Sequence, residues 1–286
     1  MDSCPECNAL TAWTADRCFV CHSDLGAPNR RLVNQQHERE ALEQRYQAAV
    51  AEAEQRGVKQ ALAAFEASIT NDSRAIINTS AYFLYGLLDS ENQLYANYRQ
   101  QTASATRKVA ELINDRQRCS TESELFGTLA PELLYGALTL DNKGLVSYGK
   151  CAMILKDITV RRKATVLEEN SYDFVKRHDI RAFDPLPVGY WTDWPNRAQL
   201  AVAKLATRIQ SDTKDFASVL LFSNGDRAQD QFIEIHIYGS LDRQAIAEVA
   251  LPTKKNWESL EFLDRALLEK IEAQAKCYDI TCSNYD

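Results

Sequence analysis

The chain has 286 residues, 26% of them charged and 45% hydrophobic, with a net charge of −7. That is long for one domain and short for three, with the make-up of a globular protein that has a real core. No run approaches ~18 uninterrupted apolar residues, which excludes a membrane-spanning helix. The overall acidity excludes tight, sequence-blind nucleic-acid binding by charge alone, although residues 99–181 carry a net +3 that suits a polyanion or a dinucleotide.

The opening residues Met1-Asp2-Ser3-Cys4-Pro5 have neither the basic nor the apolar region of a signal peptide, so a cytoplasmic location is expected. In a reducing compartment cysteines serve as metal ligands or buried thiols more often than as disulfides. Cys4-Pro5-Glu6-Cys7 and Cys18-Phe19-Val20-Cys21 are two CxxC knuckles ten residues apart. Four thiolates at this spacing predict a zinc ribbon over residues 1–27, with Cys4, Cys7, Cys18 and Cys21 as tetrahedral ligands. Disulfides or a redox pair are the alternatives, and the compartment argues against both. Asn8 and His22 follow the second cysteine of each pair, where the turn calls for left-handed backbone. So short a module cannot bury a core and is folded by its metal. Trp13 and Phe19 are candidate contact or packing residues. With only Arg17, Arg30 and Arg31 nearby, a structural or protein-docking role is favoured over reading of nucleic acid.

Residues 28–70 read as a connecting helix. From Asn34 to Ile69 there is no proline and one glycine, Gly57, and Ala, Glu, Gln and Arg dominate. Leu42, Tyr46, Ala49, Val50 and Ala53, then Leu62, Phe65 and Ile69, make a thin apolar stripe. One helix bent at Gly57 is expected, lying on a domain or paired in a coiled coil.

The remainder, residues 71–286, mixes strands and helices. A strand is expected from Arg74 to Thr79 and a helix from Ala81 to Leu88. Tyr98 and Arg99 are candidates to stack a ring and hold a phosphate. Tyr135–Leu140 and Val146–Leu155 read as strands, with Gly136 and Gly149 permitting close approach of another backbone. A strand ending at Leu167 runs into the polar Glu168-Glu169-Asn170-Ser171-Tyr172, just before a helix. Further on, a helix follows Pro195. Val219–Phe222 and residues 231–238 read as a hairpin, and a final amphipathic helix covers Trp257 to Ala275. Strands cluster without βαβ alternation, GxGxxG or a P-loop, so the class is α+β and not a doubly wound nucleotide fold. Cys119, Cys151, Cys277 and Cys282 have no ligand spacing.

Gln231-Phe232-Ile233-Glu234-Ile235-His236-Ile237-Tyr238-Gly239 alternates strictly. Its three isoleucines share a core face, and Phe232, Glu234, His236 and Tyr238 share the other. That second face reads either as the polar side of an edge strand or as a rigid wall of a cleft.

Phe126-Gly127, Tyr135-Gly136-Ala137-Leu138, Ser147-Tyr148-Gly149 with Cys151, and Glu234-Ile235-His236 with Gly239 occur in that order. The series resembles a bacterial ADP-ribosyltransferase-like family over about residues 71–252. The resemblance implies a split β-sheet that grips NAD, with flanking helices. It implies Glu234 as the catalytic carboxylate with His236 on the same face, and Ser147, Tyr148 and Gly149 against the nicotinamide. In the first strand Asn78, Thr79 and Ser80 stand where relatives carry histidine, which leaves Arg74 as the nearest substitute, with Tyr98 and Arg99 in the same pocket. The implied function is NAD-dependent mono-ADP-ribosyl transfer to RNA, DNA or protein, as in a toxin or phage-defence effector with a neutralising or chaperone protein partner. The alternative is a catalytically silent zinc-ribbon adaptor. A nuclease or an NAD glycohydrolase is a third reading.

Overall fold

The computed structural model describes residues 2–12, 15, 17–103, 112–181, 184–257 and 262–286. Trp13 and residues 258–261 of the expected final helix lie outside the described residues, and so does the side chain of Tyr98.

The chain opens with two short antiparallel strands, β1 (Asp2–Ser3) and β2 (Leu10–Thr11), that carry the first cysteine knuckle, and an Arg17↔Asp24 bridge flanks the second. Helices α1 (Pro28–Val33), α2 (Gln36–Gln55) and α3 (Lys59–Asp72) lead to β3 (Arg74–Thr79) and α4 (Ala81–Asp89). Then come α5 (Tyr98–Ala103), α6 (Leu112–Phe126), β4 (Leu133–Thr139), β5 (Cys151–Leu155), α7 (Asp157–Val160), β6 (Ala164–Leu167) and α8 (Ser171–Arg177). The last part holds β7 (Trp191–Asp193), α9 (Arg197–Leu205), α10 (Phe216–Leu220), β8 (Glu234–Tyr238), β9 (Ile246–Pro252), α11 (Lys254–Trp257), α12 (Phe262–Cys277) and β10 (Thr281–Tyr285).

β3 to β10 form one mixed sheet in the order β10-β9-β5-β3-β4-β8-β6-β7. β10 lies parallel to β9 and the other pairings are antiparallel. The sheet opens at its centre. β3 and β4 share only the pairs from Arg74↔Thr139 to Ile76↔Ala137, after which β3 continues along β5 and β4 along β8. Gly136 sits at this parting, where a Cβ would lie 2.6 Å from the Ile76 carbonyl oxygen. The close approach expected from its sequence position is therefore real.

One face of the sheet carries Ile77, Met153, Ile235, Ile237 and Val249 against α2, α3, α4, α9 and α12. Each isoleucine of this layer contributes on the order of 1.5–3 kcal/mol by full burial. The other face divides into two clusters. Leu125, Phe126, Leu133, Leu167, Phe174 and Trp191 form the first. Ile76, Ala137, Leu145, Ile154, Phe232 and Ala250 form the second.

Several elements differ from expectation for local reasons. The connecting helix expected over residues 28–70 is three helices, α1, α2 and α3, and the run from Asn34 to Ile69 breaks at Gly57. Gly57 takes φ +72°, the Val58 N–H bonds the Ala53 carbonyl and the Gly57 N–H bonds that of Glu54. That is a Schellman stop, so Gly57 ends α2 rather than bending it. Both α2 and α3 feed the main core through Leu42, Ala53, Leu62, Phe65 and Ile69. In the expected hairpin, residues 219–220 close α10, and a single Phe222↔Gln231 bridge stands in for the first strand. Residues 146–149 form a turn, so that strand is confined to Cys151–Leu155. β10 was not anticipated, because Thr281-Cys282-Ser283-Asn284-Tyr285 has no apolar alternation.

Candidate active site and metal centre

In the ribbon, the ligand atoms of Cys4, Cys7, Cys18 and Cys21 all lie within 4.8 Å of one another. Tetrahedral Zn–S bonds of ~2.3 Å place sulfurs about 3.8 Å apart, and the Cys4–Cys21 and Cys7–Cys18 pairs stand at 3.6 Å. The two knuckles repeat one another. The Asn8 N–H bonds the Cys4 carbonyl and the His22 N–H bonds that of Cys18, with φ of +57° and +59° at Asn8 and His22. The left-handed turns expected from the sequence are present, and the donor set fits a structural zinc. Phe19 is 73% exposed, free for a contact and not for packing. The buried Arg31 holds the ribbon to α1 by donating to the carbonyls of Ala12, Ala15 and Gly26.

Glu234 opens β8 on the divided face of the sheet. Phe232, two residues before it, belongs to one apolar cluster. The ring of His236, two residues after it, packs 4.5 Å from Phe126 and 5.4 Å from Tyr135 beside the other. Glu234 is therefore a buried carboxylate between two apolar walls. Oε1 accepts the Ser171 hydroxyl, the Ser171 N–H at 3.3 Å and His236 Nε2 at 2.8 Å, while Oε2 accepts Asn170 Nδ2 at 3.1 Å. Since Oε1 is an acceptor, His236 is protonated at Nε2. Its Nδ1 meets no hydrogen-bond partner among the described residues. Asn170 also caps α8, its side chain accepting from the Tyr172 N–H. The polar run before this helix thus supplies two of the groups that orient Glu234. Next to it, burial raises the Asp173 carboxyl above its usual range and the charge of Glu234 adds to the rise.

Ser147, Tyr148 and Gly149 form a turn packed on β3. A Cβ on Gly149 would lie 2.3 Å from the Thr79 carbonyl carbon and oxygen. Asn78 fixes the turn, donating to the carbonyls of Lys143 and Gly149 and accepting from the Leu145 N–H. Ser147 Oγ donates to Asp230 at 2.5 Å, and Tyr148 packs against Phe232. Phe232 thus links the Ser147 turn to Glu234.

The remaining candidates stand apart from this line. Arg74 bonds Glu248 at 2.8 Å and also Asn142, toward β9. Arg99 pairs with Glu122 at 3.1 Å and donates to the Cys119 carbonyl, which ties α5 to α6. Among the described residues, then, Glu234 with His236 and Ser147 with Tyr148 and Gly149 lie along one face, and Arg74 and Arg99 are held in ion pairs of their own. Sequence reasoning missed Asn170, Ser171 and Asp230. Extending the alternation at Phe232, Glu234 and His236 two residues upstream reaches Asp230, so that signal was available.

No family model matches the chain, and no curated protein matches it. Among solved structures it is similar to the DarT of Thermus sp. 2.9, in complex with carba-NAD+, at 11% identity. That match covers 76% of this chain and 96% of that one with a TM-score of 0.36, a likeness too distant to carry an argument about fold or activity.

Proposed function

We infer that the chain is an NAD-dependent mono-ADP-ribosyltransferase with Glu234 as its catalytic carboxylate. The observation that carries the reading is the fixation of that carboxylate. It sits on a central strand, and Ser171, Asn170 and His236 orient it between aromatic walls. Cleavage of the nicotinamide–ribose bond passes through an oxocarbenium-like state, which a preorganised carboxylate in a water-poor setting stabilises. Glu234 would hold the ribose 2′-hydroxyl and face the developing positive charge. His236 would orient it, and the Ser147–Tyr148–Gly149 turn would bind another part of the NAD. Zinc in the four-cysteine ribbon supplies only structure. The acceptor is RNA, DNA or protein, the setting that of a toxin or phage-defence effector, and the ribbon a docking point for a neutralising or chaperone partner.

One observation favours the second reading, a catalytically silent zinc-ribbon adaptor. Both Glu234 oxygens already have partners within the chain, and the side chain is only 6% exposed. The two readings part on incubation with labelled NAD. The transferase modifies an added RNA, DNA or protein and stops on Glu234→Gln, whereas the adaptor neither binds nor consumes NAD.

A further inference from the structure

Asp230 is only 7% exposed, and its two oxygens differ. Oδ2 accepts the Ser147 hydroxyl, while Oδ1 is sealed from solvent with no donor among the described residues. A buried acceptor left unpaired is costly, and more so when it is charged. Oδ1 therefore has the capacity to accept one further donor.

Its surroundings indicate the kind of molecule that brings the donor. The Arg227 guanidinium stacks 4.5 Å from the centre of the Tyr148 ring, and its Nε donates to the Ser147 carbonyl at 3.0 Å. Arg227 lies in the loop between Phe222 and Asp230, whose ends are pinned by the paired bonds of Phe222 and Gln231 at 2.8 and 2.9 Å. Residues 224–229 are exposed. Arg227 thus latches this exposed loop onto Ser147 and Tyr148.

We propose that Asp230, Ser147, Tyr148 and Arg227 form a nucleoside subsite closed by the 223–229 loop. Asp230 Oδ1 accepts from a ribose hydroxyl, as an acidic residue does in dinucleotide folds. The Ser147 oxygen, whose proton is committed to Asp230, accepts from the neighbouring hydroxyl. Tyr148 offers its ring to a base, and Arg227 exchanges its hold on that ring for a phosphate. The carboxylate repels a phosphate in the diol position, so the ligand is a ribonucleotide with a free cis-diol. Asp230 precedes Glu234 by four residues, no more than about 13 Å along an extended chain, a span that one dinucleotide covers. That NAD is the occupant rests on the transferase reading, whereas recognition of a ribonucleoside does not.

The test is calorimetric titration of AMP and of 2′,3′-dideoxy-AMP into the full-length zinc-loaded protein, Asp230→Ala and Asp230→Asn. The wild type binds AMP more tightly by roughly tenfold or more, the worth of a hydrogen bond to a charged group. Asp230→Ala loses that preference and Asp230→Asn keeps part of it. If the alanine variant does not fold, the asparagine variant, of the same volume, carries the test and shows a severalfold loss. Equal binding of the two nucleotides by the wild type, no binding of either, or a preference intact in the variants overturns the subsite. If the preference behaves as stated while the wild type turns over no NAD, the subsite stands and the transferase reading falls.

Discussion

Gly149→Ala separates packing from chemistry, since it adds one methyl group beside the proposed site and removes nothing. That methyl would lie 2.3 Å from the carbonyl carbon and oxygen of Thr79 and 2.6 Å from its Cα. The obstructing atoms are the backbone of β3, which is paired to β5 through Thr79↔Cys151 and cannot rotate away as a side chain would. Relief requires the 145–149 turn to lift, which strains the three hydrogen bonds that Asn78 makes to it. Overpacking of this kind costs ~1–3 kcal/mol, and contact with backbone places it at the upper end. For a chain of this size the upper end is a fall in Tm of roughly 5 °C. Gly86→Ala is the internal control. Gly86 lies inside α4 with nothing within 4 Å of the added carbon, so the substitution contributes about 0.8–1 kcal/mol of helix propensity. Urea denaturation of both variants gives the two signs. Gly149→Ala as stable as wild type, or Gly86→Ala as damaging as Gly149→Ala, refutes the reasoning.

Two further outcomes follow from the ribbon and from a buried lysine. Cys18→Ser removes one of the four thiolates, so bound zinc by atomic absorption falls from one per chain toward none. Limited proteolysis then cuts within residues 1–27 while the sheet domain persists, and a variant that keeps its zinc and its resistance contradicts the assignment. Burial brings the Lys204 ammonium, which donates to the carbonyls of Glu168 and Phe232, down to about 8. Between that value and the ordinary ~10.4 the unfolded chain holds a proton that the folded chain has released. Stability from this group therefore rises with pH across that window. Relative to Lys204→Met, the wild type gains on the order of 2 kcal/mol from pH 8 to 10.5 by urea denaturation, and a flat difference removes the claim.

Much of the molecule is legible in the sequence where the signal is local. The cysteine spacing defines the metal centre, and the residue after each second cysteine takes the backbone that the knuckle requires. Strict alternation around Glu234 sets which residues share its face. What escapes is non-local. Ser171 lies 63 residues from Glu234 and meets it only because β6 pairs with β8 and delivers the start of α8 to that point. Arg74 and Arg99 look like free cations in the sequence, and tertiary structure commits them to Glu248 and Glu122. The Val146–Gly149 run has strand composition, yet Asn78 draws it into a turn. β10 is an exposed edge strand with no buried face to imprint a pattern.

The most direct test of the central claim is incubation of the purified protein with labelled NAD and a mixture of RNA, DNA and protein, alongside Glu234→Gln. The account predicts label on one class of acceptor with the wild type and none with the variant, which keeps the size of the carboxylate and the wild-type Tm to within a few degrees. A wild-type protein that neither binds nor consumes NAD contradicts the account and leaves the zinc-ribbon adaptor in its place.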